Sequence, residues 1–199
     1  MHIVNKKIKV IFFFFLLLFL PLEITSHPHV FITGNITLEF NSTGFRGFWV
    51  NWSFDEFFSS MISNDYDKNK NGLFDRNEQS AIYKGAFINL KNFNYFTTIS
   101  LKNEPYIVKD VERFKATLKK GTMGYTFFIP IKKDVNEITI SQYDNTYYTD
   151  INLSSKIATK NGGKYTIKST MYENKKKSFY NGMVHPYEIK IKIKGKILS

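Results

Sequence analysis

The chain has 199 residues, 43% hydrophobic and 17% aromatic, which suits one domain with a real core and excludes wholesale disorder. Its formal net charge is +11, but the lysines are spread out and alternate with apolar residues, as in residues 189–194. That reads as a solvated strand face and not as a nucleic-acid patch. Cys is absent, so disulfides and thiolate metal sites are excluded, and any metal must be held by His, carboxylate, amide or backbone groups.

The chain opens with Lys6, Lys7 and Lys9, followed by an unbroken apolar run over residues 10–20. A membrane-spanning helix needs ~20 apolar residues, so this run is too short to be one. Pro21, Thr25 and Ser26 follow. The charged, apolar, small-residue order is that of a secretory signal peptide. Cleavage after Ser26 is expected, although Ile24 is not ideal three residues before the cut; a retained anchor is the alternative. The mature protein is then a single domain over residues 27–199, periplasmic or secreted, beginning His27-Pro28-His29.

Residues 29–40 alternate roughly and predict a strand. Asn41 to Gly44 supply turn chemistry, and the aromatic-rich stretch 45–54 completes a hairpin. Residues 55–63 predict a helix with Phe57, Phe58, Met61 and Ile62 on one face. Residues 78–90 predict another, with Ile82, Ala86 and Leu90 at helical spacing. From residue 95 to the end the pattern is strand-like, over 95–101, 106–118, 122–131, 137–143, 147–153, 165–172 and 187–197, with turn signals between. The expected fold is α+β but mainly β: an antiparallel β-sandwich carrying a helix-loop-helix insertion at 55–92, after the first hairpin.

Between the two helices, residues 67–78 match the twelve-residue EF-hand loop. Asp67, Asn69, Asn71 and Asp75 put side-chain oxygens at positions 1, 3, 5 and 9. Gly72 permits the turn at position 6, Leu73 offers its carbonyl at position 7, and Glu78 is the bidentate ligand at position 12. Beginning at Asp65 instead puts Arg76 at position 12, so that register fails. Ca²⁺ is a hard cation that takes six to eight oxygens, and one curled loop supplies most of them. Asn at positions 3 and 5 leaves three carboxylates, which predicts weak binding and a structural staple. The competing reading is a polar turn that binds nothing.

The mature chain has three histidines. After cleavage His27 carries a free α-amine, and residues two apart on a strand share a face, so His27 and His29 can converge on one ion. Imidazole suits Zn, Ni and Cu. Pro28 has no N–H to deprotonate, which blocks the square-planar amide site and leaves side-chain chelation. Asp55 and Glu56 stand at the hairpin end nearest His29; a plain helix cap is the competing reading. His185 repeats the His-Pro pair before the last strand, and a surface turn is its competing reading.

His-Pro-His-Val-Phe-Ile at 27–32, Trp-Ser-Phe-Asp-Glu-Phe-Phe-Ser at 52–59, the loop at 67–78 and Tyr-Asp-Asn-Thr-Tyr-Tyr at 143–148 occur together. So do Asn89-Leu90 and Tyr95-Phe96-Thr97. In this combination the chain resembles a bacterial periplasmic family described as a domain of unknown function and as the periplasmic component of an ABC-type transport system. Its members are similar to ZevA-type zinc-uptake proteins that accompany nickel/cobalt-class permeases. The resemblance covers residues 27–153 and leaves His185 outside it. It implies delivery of a metal, zinc first, to or from an inner-membrane permease. It favours His27 and His29, then Asp55 and Glu56, as ligands.

Four functions compete. The first is a metal-binding partner of a transporter, not an enzyme, with no small organic substrate and no nucleic acid. The second is an N-terminal His-brace copper oxidase, and the third a copper chaperone. The fourth is a calcium-stabilised module with an incidental His end. No Ser or Cys triad and no phosphate-cradling Gly loop is readable.

Overall fold

The computed structural model describes residues 28–195; the expected signal peptide at 1–26 and His27 lie outside the described residues. Strand β1 (Val30–Asn41) and β2 (Gly44–Phe54) form the expected hairpin, joined by an Asn41 side chain that accepts the N–H groups of Thr43 and Gly44. Helices α1 (Glu56–Tyr66) and α2 (Arg76–Gly85) and a 3-10 segment (Phe87–Phe96) follow. Strands β3 (Thr97–Leu101), β4 (Glu104–Tyr106), β5 (Glu112–Lys119), β6 (Thr122–Pro130) and β7 (Glu137–Gln142) come next. Then come β8 (Thr149–Lys160), β9 (Tyr165–Glu173) and β10 (Tyr187–Gly195).

The strands build two five-stranded sheets, ordered β5-β6-β2-β1-β8 and β4-β3-β7-β10-β9. Between them lies the expected sandwich core. Alternate residues of β1 (Ile32, Ile36, Leu38) and β2 (Phe48, Val50, Trp52) are buried in one continuous apolar cluster with Ile138, Ile140, Ile189 and Ile191 of the second sheet. The helical insertion packs on β6 and β5, where Phe87 is enclosed by Phe114, Tyr125 and Phe127.

The structure departs from the sequence expectations at four places. The sandwich is not wholly antiparallel, because β1 pairs in parallel with β8, from Val30 opposite Thr149 to Glu39 opposite Lys160. The expected strand 106–118 is two strands: β4 belongs to the second sheet and β5 to the first, so the chain crosses between layers over 107–111. Helix α2 stops at Gly85, where an added Cβ would lie 2.6 Å from the Tyr66 hydroxyl of α1. Tyr95 does not start a strand. Asn94, Tyr95 and Phe96 take left-handed backbone angles, held by the Asn94 side chain, which donates to the Thr97 carbonyl and accepts from the Val108 N–H.

A polar cluster seals the first sheet where β1 bulges opposite Gly47. Glu39 is 6% exposed. It accepts from Trp49 Nε1 at 2.7 Å and Arg113 at 3.0 Å, and pairs with Lys160 at 3.0 Å. The Arg113 guanidinium lies over the rings of both Trp49 and Phe128. Burial works against the Glu39 charge, but the bonds from Trp49, Lys160 and Arg113 outweigh it and hold the carboxyl at about 2. A depressed folded pKa stabilises fully above the ordinary value of 4.5 and is lost as pH falls toward about 2. Glu39→Gln is therefore expected to cost about 3 kcal/mol at neutral pH in urea unfolding. It should also flatten the loss of stability between pH 4.5 and 2 relative to the parent chain.

Candidate metal centres

The parallel β1–β8 pair places residues from the middle of the chain beside its start. His29 is exposed; its N–H donates to the Tyr148 carbonyl at 2.8 Å and its ring packs 4.9 Å from the Tyr148 ring. Tyr148 is held there by a tight turn. The buried Asp144 carboxylate accepts the N–H groups of Thr146 and Thr149, and Tyr147 takes a left-handed φ of 56°.

Asp55 is committed to the fold. One carboxylate oxygen accepts the Phe58 N–H at 2.8 Å and caps α1; the other accepts the Phe31 N–H at 2.8 Å and closes the start of β1. The helix cap thus accounts for one Asp55 oxygen and the strand-closing bond for the other. Glu56, in the first turn of α1, is exposed, and its side chain makes no hydrogen bond or ion pair among the described residues.

A cleft of about 300 Å³ at this end is lined by Phe31, Thr33, Ser53, Asp55, Asp150 and Asn152, among others. It holds two carboxylates and no basic side chain. Asp150 was not anticipated from sequence. It stands opposite Phe31 in the parallel register, and its carboxylate has no hydrogen-bond or ion partner among the described residues. It also lines a second cavity, of about 210 Å³, with Tyr143, Tyr147, Phe179 and His185. His185 Nδ1 lies 2.7 Å from the Lys177 carbonyl, so that ring nitrogen is occupied if it carries the proton. His29 and His185 therefore flank the Tyr147–Tyr148 pair and do not share one cleft.

The twelve-residue loop is curled as its spacing predicts. Asp67 accepts the N–H groups of Asn71 and Gly72, Asn69 that of Asn71, and Asn71 that of Leu73. Gly72 takes a φ of 75°, which its residue type permits without strain. Asp75 caps α2, and Glu78 returns to the Lys68 and Asp75 N–H groups in a capping box. Asp67 and Glu78 are buried, and no Lys or Arg pairs with Asp67, Asp75 or Glu78 among the described residues. The donor chemistry, carboxylates with amides and one carbonyl, fits a hard cation. The arrangement itself is not convergent: among the described residues no three His, Asp or Glu side chains form a metal-holding group, here or at the His29 end. At the loop, backbone N–H groups occupy both Glu78 oxygens.

The chain belongs to the family described as "Protein of unknown function (DUF1007)", whose model matches residues 12–182. It is similar to an uncharacterized 15.5 kDa protein in the trpE 3' region of Spirochaeta aurantia, 33% identical over 129 residues, 61% of this chain and 91% of that protein. An uncharacterized protein of Haemophilus influenzae is 23% identical over 147 residues, 71% of this chain and 69% of that protein.

The two aspartates at the cleft are expected to separate on mutation. Asp55→Ala removes a helix cap and a strand-closing bond and should cost about 2 kcal/mol. Asp150→Ala removes no partner and should stay within about 0.5 kcal/mol of the parent in the same urea titration.

Proposed function

We propose that the mature chain is a periplasmic divalent-metal-binding protein, with zinc as its first cargo, that serves an inner-membrane metal permease. The observation that carries this reading is the acidic Asp55–Asp150 cleft beside the start of β1, the strand that His29 precedes and the end where a cleaved chain would begin. Of the two cleft carboxylates, Asp150 is the one without a partner among the described residues. Imidazole with carboxylate is a zinc-type donor set, and His27 would add a second imidazole and an amine. The resemblance to ABC-type periplasmic components and to ZevA-type zinc-uptake proteins supports the same reading, as does the signal-like order of residues 1–26.

The test is titration calorimetry with zinc on the chain processed to His27. One ion per chain is expected, with affinity lowered tenfold or more by His29→Ala and by Asp150→Asn. Parent-like binding in both variants, or equal binding by a chain retaining residues before His27, would remove the proposal.

The loop at 67–78 is read as a calcium staple. Asp67, Asn69, Asn71, Asp75 and Glu78 would hold the ion with the Leu73 carbonyl, and the bound charge would offset two buried carboxylates and tie α1 to α2. At a Kd of ~10⁻⁴ M, about 10 mM calcium should add about 2.7 kcal/mol to unfolding stability. Glu78→Gln should abolish that increment. An unfolding midpoint that ignores calcium in the parent chain leaves the capping box as the whole role of the loop.

A further inference from the structure

The charge of this protein is segregated along the chain. Residues 28–153 hold fourteen Lys and Arg against fourteen Asp and Glu. Residues 154–195 hold ten Lys, no Arg and two Glu. The topology then brings four of these lysines to one end of the second sheet. Lys164 lies in the turn from β8 to β9, and Lys168 follows on β9. Lys192 pairs directly opposite Lys168, and Lys194 lies opposite Thr166.

Like charges directly opposed across two strands are destabilising, and the local acids do not relieve this pair fully. Glu137 takes Lys190 at 2.7 Å and Lys192 only at 3.8 Å. Lys164, Lys168 and Lys194 are exposed and have no ion pair among the described residues. A face that keeps such repulsion is stabilised by an external anion.

The chemistry favours a lipid surface over a nucleic acid. The lysines stand on a turn and a strand face, not around a groove. All are ammonium point charges without the planar guanidinium that reads phosphate or base edges in pairs. Diffuse attraction to anionic headgroups needs only clustered lysine, at ~1 kcal/mol for each one near the surface.

We propose that the corner formed by Lys164, Lys168, Lys192 and Lys194 docks this protein on an anionic phospholipid bilayer. The inference goes beyond the metal reading and does not depend on it, so it is tested with a chelator present. The full chain is floated with vesicles of phosphatidylglycerol and phosphatidylcholine, and with phosphatidylcholine alone, so that the apolar run at 10–20 contributes to both. Selective binding to the anionic vesicles is expected at about 0.05 M salt and its loss at about 0.5 M. Lys164→Gln, Lys168→Gln and Lys194→Gln together should lower anionic partition on the order of a hundredfold. The same number of charges removed at Lys115, Lys119 and Lys120, from the balanced part of the chain, should change it less than about threefold.

Equal binding to neutral vesicles overturns the proposal. So does a fall below about fivefold in the corner variant, or an equal fall in the control variant. Tighter binding to a mixed-sequence DNA duplex at the same salt overturns it in favour of nucleic acid.

Discussion

The parallel pairing of β1 with β8 is the constraint on which the candidate site depends. Two parallel neighbours cannot be joined by a tight turn and need a crossover. Here the crossover is most of the domain: β2 to β7 and the helical insertion lie between the paired strands. The chain must therefore leave the first sheet twice, for β3 and β4 and again for β7, and return each time before β1 has its second neighbour. One result is that Tyr148 reaches His29, and Asp150 stands opposite Phe31, across more than a hundred residues of sequence. Another is that β1 is internal to its sheet, so its backbone is satisfied on both sides and its start is a fixed point.

Fixed geometry at that end separates residues employed by the fold from residues the fold leaves available. Asp55 is employed twice, as a helix cap and as the acceptor for Phe31, and its carboxylate is correspondingly oriented. Among the described residues, the side chains of His29 and Asp150 have no hydrogen-bond partner. A metal that enters such a cleft meets one carboxylate already directed by N–H groups and another that only needs to lose water. The same accounting applies to the EF-type loop. Its Asn residues fold the backbone, while Asp75 and Glu78 serve helix α2 first, so an ion there competes with the capping box for the same oxygens.

Much of this was legible in the sequence. Alternation and turn residues gave away both the first hairpin and most later strands, because each strand has one buried face and period-two burial writes itself into residue choice. The loop at 67–78 was legible because its spacing is set by local backbone geometry. What was hidden is non-local. No pattern within 106–118 announces that the chain changes sheets, and nothing local to Thr149–Lys160 says that its partner is the first strand. Asp150 was missed for that reason, while Tyr143, Tyr147 and Tyr148 read as ordinary core and sheet-face aromatics. The left-handed run at Asn94 to Phe96 was masked by aromatic residues that favour strands. The lysine alternation was visible, but only the Lys168–Lys192 register turns a dispersed charge into a corner.

β8 runs from the acidic cleft at one end to Lys160 at the other. At ~3.3 Å per residue its twelve residues measure out about 35 Å. β10 runs the same way, from Tyr187 beside the His185 cavity to Lys194 at the basic corner. The two candidate surfaces are thus separated by roughly the full height of the sandwich. A molecule resting on lipid by its lysine corner holds His29 and Asp150 aloft, facing the aqueous phase. Loading from solution is then unhindered by the bilayer. Hand-over to a membrane-embedded acceptor demands either that the acceptor project a segment of comparable height or that the molecule let go of the lipid and turn over.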